Sequence, residues 1–145
     1  MMYGILGKTG LKVSKIGLGG IPIQQLNQCD ASKLIEKALE YGINFMDTAR
    51  GYTVSESLIG NALTGGRKKV FLATKSMARE KDALKKDIEI SLENFNTDYI
   101  DLYQFHNIPN LQELEKVMAP GGALETFVEY MQMGVIKHIG ITSHN

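Results

Sequence analysis

The chain has a single cysteine and no excess of either charge, and each shortage excludes a class of protein. Cys29 is the one cysteine among 145 residues, so an internal disulfide cannot form. We therefore expect a cytoplasmic protein with reduced thiols. Sixteen basic residues balance sixteen acidic ones. This balance gives no electrostatic reason to expect nucleic acid or an anionic membrane as a partner.

Long apolar runs and the usual metal-ligand spacings are also missing. No run approaches the ~18 apolar residues of a membrane-spanning helix. The N-terminus, Met1 to Gly4, lacks the charged-then-apolar layout of a signal peptide. The three histidines do not follow the His-x-x-x-His spacing, and with one cysteine they predict no metal site.

What the chain does contain is a regular alternation of short apolar runs and helical patterns. The runs that predict β-strands are 16–20, 44–49, 70–75, 99–106 and 137–142. Before them, residues 3–14 hold two short extended runs around Lys8-Thr9-Gly10, which predicts a small hairpin.

Four helical stretches separate the five strands, and the last is broken at Pro120-Gly121-Gly122 into 111–118 and 123–133. Asp30 is the expected cap of the first helix and Ser55 of the second. An ion pair between Asp82 and Lys86 is expected on the wet face of the third. The predicted buried stripes are Leu34, Ile35, Ala38 and Leu39 in the first helix, Leu58, Ile59, Ala62 and Leu63 in the second, and Leu84, Ile88, Leu92 and Phe95 in the third.

Strands that alternate with helices predict a parallel sheet, either doubly wound or closed as a (β/α)₈ barrel. The segment Gly17 to Pro22 resembles the dinucleotide fingerprint G-x-G-x-x-G, but Pro22 stands at its last position and no helix follows at once. This failure disfavours the nucleotide-binding doubly wound fold. We therefore expect an α/β fold that is part of a (β/α)₈ TIM barrel with an N-terminal β-hairpin.

Ionisable side chains follow three successive predicted strands. Asp47, Lys75 and His106 each stand at or next to a strand end, and Tyr52 follows Asp47 by five residues. In a barrel, the carboxyl ends of successive strands meet at one mouth. A carboxylate, a phenol, an ammonium and an imidazole at one mouth predict a proton-transfer site.

The length of the chain matters for this interpretation, because a complete barrel takes about 250 residues. The sequence predicts one domain over residues 1–145, with the hairpin in 1–14 and the βα repeats in 15–145, truncated after the fifth strand. Open strand edges and exposed apolar surface favour association. We therefore expect either self-association or pairing with a complementary C-terminal half.

The order and spacing of several short motifs resemble the aldo-keto reductase family along nearly the whole chain. The motifs are Leu6 to Ser14, Gly17-Leu18-Gly19, Gly42 to Ala49, Tyr52 with Ser55-Glu56, Thr74-Lys75, Asp98 to His106, and Gly134 to Asn145. The resemblance implies a (β/α)₈ barrel and the NADPH-dependent reduction of aldehydes and ketones. The partner implied is a small carbonyl compound.

The resemblance also implies roles for individual residues. Its catalytic tetrad corresponds to Asp47, Tyr52, Lys75 and His106, with Tyr52 as acid and base. We expect the Lys75 ammonium to lower the pKa of Tyr52 and neutral His106 to hydrogen-bond the substrate oxygen. The residues implied to bind NADP(H) are Gly20, Ile21, Asp47, Thr142 and Ser143; the commoner family form at the last two positions is Ser-Asn.

One alternative stays open, a non-catalytic binding or regulatory module that keeps the reductase shape. The complete set of four ionisable groups favours the enzyme, because a scaffold does not require them. Cofactor contacts of the family that lie beyond the fifth strand have no counterpart in these 145 residues. We therefore expect the isolated chain to bind NADPH poorly and to turn over slowly or not at all.

Overall fold

The computed structural model describes residues 1–144, and Asn145, the last residue of the matched motif, lies outside the described residues. Within 1–144, a two-stranded hairpin is followed by five parallel strands and five α-helices. The strands are β1 Tyr3–Ile5, β2 Lys12–Ser14, β3 Leu18–Gly19, β4 Phe45–Asp47, β5 Phe71–Ser76, β6 Ile100–Phe105 and β7 Ile136–Ile141. The helices are α1 Gln28–Glu40, α2 Ser55–Ala62, α3 Lys81–Phe95, α4 Leu111–Met118 and α5 Leu124–Gln132.

The predicted hairpin is confirmed, and it is anchored to the first βα repeat. β1 and β2 pair antiparallel, with Tyr3 opposite Ser14. Asn44, just before β4, accepts a hydrogen bond from the backbone N–H of Ser14 at 2.6 Å and donates one to the carbonyl of Lys12 at 3.0 Å. The hairpin is therefore fixed at the end of the sheet where β4 begins.

The five parallel strands lie in sequence order, β3-β4-β5-β6-β7. Neighbouring helices contact one another along the series α1, α2, α3 and α5, so these helices cover one face of the sheet. A doubly wound sheet carries helices on both faces. The observed arrangement is that of a barrel wall, as predicted, and it directs the carboxyl ends of all five strands to one rim.

The core lies between the sheet and its covering helices. The largest fully buried side chains include Met46, Leu72, Tyr103 and Phe105 from the strands, with Ile35, Ile59, Ile88 and Phe127 from the helices. Side chains on a strand alternate between its two faces. Asp101, Tyr103 and Phe105 are therefore buried towards the helices, and Leu102 and Gln104 point to the other face and are partly exposed.

Two predictions about the first helix are wrong. α1 begins at Gln28 with Asn27 as its cap, and the Asn27 side chain accepts a hydrogen bond from the backbone N–H of Asp30. Asp30 therefore lies in the first turn and not at the cap. Leu34 is 40% exposed and does not belong to the buried stripe, which consists of Ala31, Ile35 and Ala38.

Two predictions about the next helices are also wrong. Ser55 is the first residue of α2 and makes no capping bond; its hydroxyl donates to the carbonyl of Gly20 at 2.9 Å. Asp82 and Lys86 of α3 do not form the expected ion pair, although both lie in the described part of the chain. None of the helices in residues 1–144 is both long enough and apolar enough to span a bilayer.

Candidate active site

The structure brings the four predicted catalytic residues together at one rim of the sheet. Asp47 is the last residue of β4, Lys75 lies near the end of β5, and His106 directly follows β6. Tyr52 lies in the loop between β4 and α2. Three successive parallel strands therefore deliver three of the groups, and the loop after the first of them delivers the fourth.

Lys75 is the buried centre of this cluster, with 5% of its surface exposed. Its ammonium donates to Asp47 Oδ2 at 2.6 Å and to the carbonyl oxygen of Thr48 at 2.7 Å. The Asp47 side chain keeps 42% of its surface exposed. A buried ammonium needs such partners, because desolvation without them favours loss of the proton.

Tyr52 lies against both Lys75 and His106. Its ring meets the imidazole of His106 edge-on, with centroids 5.8 Å apart and an angle of 85° between the planes. The Lys75 ammonium is 5.8 Å from the centre of the Tyr52 ring. The Tyr52 ring therefore lies within 5.8 Å of both groups.

The expected lowering of the Tyr52 pKa is wrong for this structure. Partial burial raises the pKa of Tyr52 above its usual value, and the negative charge of Asp47 raises it further. The phenol therefore holds its proton at neutral pH.

The environment of His106 favours the neutral imidazole, as expected. Burial lowers the pKa of His106 below its usual value, and the nearby Lys75 ammonium lowers it further. Its Nδ1 is buried and has no hydrogen-bond partner among residues 1–144. A buried polar atom without a partner is uncommon in proteins and points to a position that a ligand or water satisfies.

Two contacts fix the backbone that carries His106. Arg79, in the loop after β5, donates to the carbonyls of His106 and Asn107 at 2.9 and 3.0 Å. Thr142, which follows β7, accepts at Oγ1 a hydrogen bond from the backbone N–H of Asn107 at 2.8 Å. Segments on both sides of β6 therefore hold the imidazole at the rim.

A cleft of about 340 Å³ opens beside Tyr52. It is lined by Gly19, Gly20, Ile21, Pro22, Asp47 and Tyr52. The cleft thus contains Gly20, Ile21 and Asp47, three of the five residues predicted to bind the cofactor. Ile21 is 52% exposed there and offers an apolar surface to a ligand.

Gly20 contributes to this cleft through close packing. Its backbone N–H donates to the carbonyl of Asp47 at 2.7 Å, and its own carbonyl accepts from Ser55. A Cβ at this position would lie only 2.8 Å from Ser55 Oγ and would also collide with the Thr48 side chain. Its polar groups are therefore used within the chain, and only glycine allows the end of β3 to approach Thr48 so closely.

The other two predicted cofactor residues lie at the far side of the rim, after β7. The backbone of Thr142 is engaged on both sides, since its N–H donates to Phe105 and its carbonyl accepts from Ile108. Because Oγ1 accepts from Asn107, the hydroxyl hydrogen is what Thr142 can offer a ligand. Ser143 follows and is exposed.

Sequence reasoning missed three residues at or behind the rim. Gln104 of β6 reaches Asp47 Oδ1 at 3.5 Å. Side chains alternate along a strand, so the position of Gln104 two residues before His106 was the available signal. Arg50 and Glu56 form an ion pair of 2.5 Å behind the rim. Their six-residue spacing matches no helical pair, so no simple pattern identifies them.

Comparisons with known proteins identify relatives of this chain. A model of the aldo/keto reductase family matches residues 15–145. The chain is 32% identical over 152 residues to the oxidoreductase YqkF of Bacillus subtilis, covering 95% of this chain and 47% of that protein. It is 33% identical over 153 residues to L-galactose dehydrogenase of Arabidopsis thaliana, covering 94% of this chain and 47% of that protein.

A solved structure gives the same result at the level of the fold. The holo form of an aldo-keto reductase from Bacillus halodurans superposes with a TM-score of 0.86 at 33% identity, and the match covers 99% of this chain and 51% of that one. The chain thus spans about half the length of the relatives it matches. On the family match and these relatives together, the chain belongs to the aldo/keto reductase family.

Proposed function

We propose that this chain carries the proton-transfer site of an NADP(H)-dependent oxidoreductase that reduces aldehydes and ketones to alcohols. Membership of the family supports an oxidoreductase in general terms. The observation that carries the finer proposal is the arrangement of Tyr52 between a buried, paired Lys75 and the edge of a neutral His106. This arrangement suits the protonation of an oxygen on which negative charge develops.

The residues present fit a nicotinamide cofactor on two grounds. The cleft beside Tyr52 has an apolar wall at Ile21, and a Cβ built on Gly19 meets no atom within 4 Å. The orphaned Nδ1 of His106 lies at the same rim. When bound, the nicotinamide supplies hydride to a carbonyl carbon; the protein supplies placement and electric field. Ile21, Asp47, Thr142 and Ser143 would hold it, with Gly20 shaping the cleft.

Tyr52 acts as the acid in this proposal. Its pKa is raised, so the hydroxyl remains protonated and available to the substrate oxygen at neutral pH. Alcohol oxidation requires the phenolate as a base, and the raised pKa makes the phenolate scarcer at neutral pH. We therefore propose that reduction is the faster direction at neutral pH.

The other three groups hold and assist the acid. Neutral His106 keeps one N–H that can donate to the substrate oxygen as charge develops on it. Lys75 places a positive charge near the same point, and Asp47 fixes the position of that ammonium. Proton delivery therefore comes from Tyr52, and stabilisation of the charge comes from His106 and Lys75.

We also propose a structural partner, either a second copy of the chain or a complementary half barrel. The described sheet is open at β3 and at β7, and open strand edges pair readily. Ile141, at the end of β7, is 49% exposed. A monomer in sedimentation, together with cooperative unfolding of that monomer, would contradict this part of the proposal.

NADPH oxidation with a nitrobenzaldehyde tests the proposed reaction. Two proteins are assayed, the chain alone and a version extended by the second half of the Bacillus halodurans reductase. Each is assayed with and without Tyr52→Phe. Tyr41→Phe is the matched control, because Tyr41 is 66% exposed at the end of α1 and away from the rim. We expect turnover in the extended version that Tyr52→Phe abolishes and Tyr41→Phe leaves unchanged.

Two outcomes would contradict the proposal. Turnover that survives Tyr52→Phe would remove Tyr52 from its role as the acid. If both versions fold and neither oxidises NADPH, the reductase proposal fails and a non-catalytic module becomes the better interpretation. Fluorescence titration of the chain alone should show only weak NADPH binding, since remote contacts provide much of the energy that orients a cofactor.

A further inference from the structure

Behind the rim, on the helix side of β5, a buried carboxylate accepts four hydrogen bonds. Glu56 of α2 is 1% exposed. Its Oε1 accepts from Thr74 Oγ1 at 2.7 Å and from Ser91 Oγ at 2.8 Å. Its Oε2 accepts from Arg50 Nη1 at 2.5 Å and from Asn94 Nδ2 at 3.1 Å. This carboxylate thus ties together β5, α3 and the loop that follows β4.

Arg50 lies between this carboxylate and a second one. Its Nε is 3.8 Å from Asp87 Oδ1 of α3, and it is buried without a hydrogen bond among the described residues. The other oxygen of Asp87 accepts a short hydrogen bond from Ser76 Oγ. The guanidinium therefore links two carboxylates that each bind a different residue of β5.

The two residues of β5 held in this way are the neighbours of Lys75 on either side. Side chains alternate along a strand, so Thr74 and Ser76 face the helices when Lys75 faces the rim. The backbone N–H of Arg50 also donates to the carbonyl of Lys75 at 2.9 Å. Arg50 lies two residues before Tyr52, so one side chain connects the Tyr52 loop to both flanks of Lys75.

Stability alone gives a poor reason for this arrangement. Burying an ion pair costs desolvation energy that an apolar cluster of similar volume avoids. The pair is placed where it controls the separation of two elements that carry functional groups. We propose that Arg50, Glu56 and Asp87 form a positioning network that fixes the Tyr52 loop against the Lys75 strand. The network touches neither substrate nor cofactor, and its value for catalysis rests on the proposed function.

The contact between Tyr52 and His106 reports on this network without any turnover. The variant is Arg50→Met with Glu56→Gln, which removes both charges and leaves the net charge of the chain unchanged. The measurement is the nuclear Overhauser effect between the two rings, together with the chemical shift of the His106 imidazole. The chain has three histidines, so His138→Gln and His144→Gln assign the remaining signal.

A matched control exists at the opposite end of the same strands. Arg67 and Asp101 form a buried ion pair of 2.7 Å, with side chains 14% and 8% exposed, close to the 19% and 1% of Arg50 and Glu56. Asp101 also accepts from the backbone N–H of Leu72. Arg67→Met with Asp101→Asn removes an equivalent pair far from the rim.

We expect the Overhauser effect to disappear and the His106 shift to move in the Arg50–Glu56 variant, and both to persist in the Arg67–Asp101 control. The proposal is overturned if the effect survives in the first variant or is lost equally in both. If the first variant does not fold, Asp87→Asn provides the test. The Asp87 side chain is 30% exposed, so its substitution should destabilise the fold less. An unchanged ring contact in that variant also overturns the proposal.

Turnover of the extended version is a separate measurement. If the network positions Tyr52, its loss should lower kcat in the Arg50–Glu56 variant. In the control, kcat should stay near the parent value. Absence of turnover in the parent protein would contradict the proposed function, and the ring contact would still decide the network.

Discussion

The Lys75 ammonium lies 2.6 Å from the Asp47 carboxylate and 5.8 Å from the centre of the Tyr52 ring. The ammonium is thus in direct contact with Asp47 and more distant from the phenol ring. The pKa of Tyr52 is raised chiefly by burial and further by the negative charge of Asp47.

Asp47→Asn should therefore lower the pKa of Tyr52. The substitution removes the negative charge that raises the pKa and leaves the Lys75 cation beside the ring. The Tyr52 titration is isolated by subtracting the alkaline absorbance titration of the double variant Asp47→Asn with Tyr52→Phe from that of Asp47→Asn. The same subtraction is made between Tyr52→Phe and the parent chain, and the two pKa values of Tyr52 are compared. A pKa that stays constant or rises would show that Asp47 does not control the phenol.

The lowered pKa of His106 should make part of the stability of the fold depend on pH. In the unfolded chain, histidine titrates with a pKa of ~6.5. In the folded chain, burial and the Lys75 charge hold the pKa of His106 below this value. The unfolded state then binds more protons between the two pKa values, so this contribution is complete above the unfolded pKa and is lost as the pH falls through the folded one.

Urea unfolding at pH ~7 and pH ~5 checks this expectation with His106→Gln, which cannot titrate. The parent chain should lose more unfolding free energy than the variant over this interval. Parallel losses in the two proteins would contradict the assignment of a lowered pKa to His106.

Gly20→Ala should destabilise the fold, and Gly19→Ala should not. A Cβ on Gly20 would lie 2.5 Å from Thr48 Cβ and 2.8 Å from Ser55 Oγ, whereas one on Gly19 meets nothing within 4 Å. Overpacking a buried contact typically costs about 1–3 kcal/mol. Thermal and urea unfolding of the two variants gives the comparison, and equal stability would show that β3 can move away from Thr48 without cost.

The sequence predicted the framework of the site because strand ends follow from apolar periodicity. Asp47, Lys75 and His106 stand where three predicted strands end, and parallel strands bring such ends to one rim. The five strands were predicted to within two residues at each end, since their apolar runs are short and clearly bounded.

Predictions from the sequence were wrong where a residue had two equally good local roles and tertiary contacts determined which role it takes. Asn27 and Asp30 are both good caps, and only the structure shows that Asn27 takes that position. Ser55 follows a capping pattern, yet its hydroxyl donates to the carbonyl of Gly20, which follows β3 and is 35 residues away in the sequence. The Arg50–Glu56 pair escaped prediction for the same reason, since its geometry depends on β5 and α3 packing around it.

The central claim is that Asp47, Tyr52, Lys75 and His106 behave as one coupled proton-transfer site. The most direct test is the NMR titration of His106 in the parent chain and in Lys75→Met. Because the Lys75 charge lowers the pKa of His106, the account predicts a higher His106 pKa in the variant. An unchanged or lower pKa in a folded variant would show that these groups do not share a site.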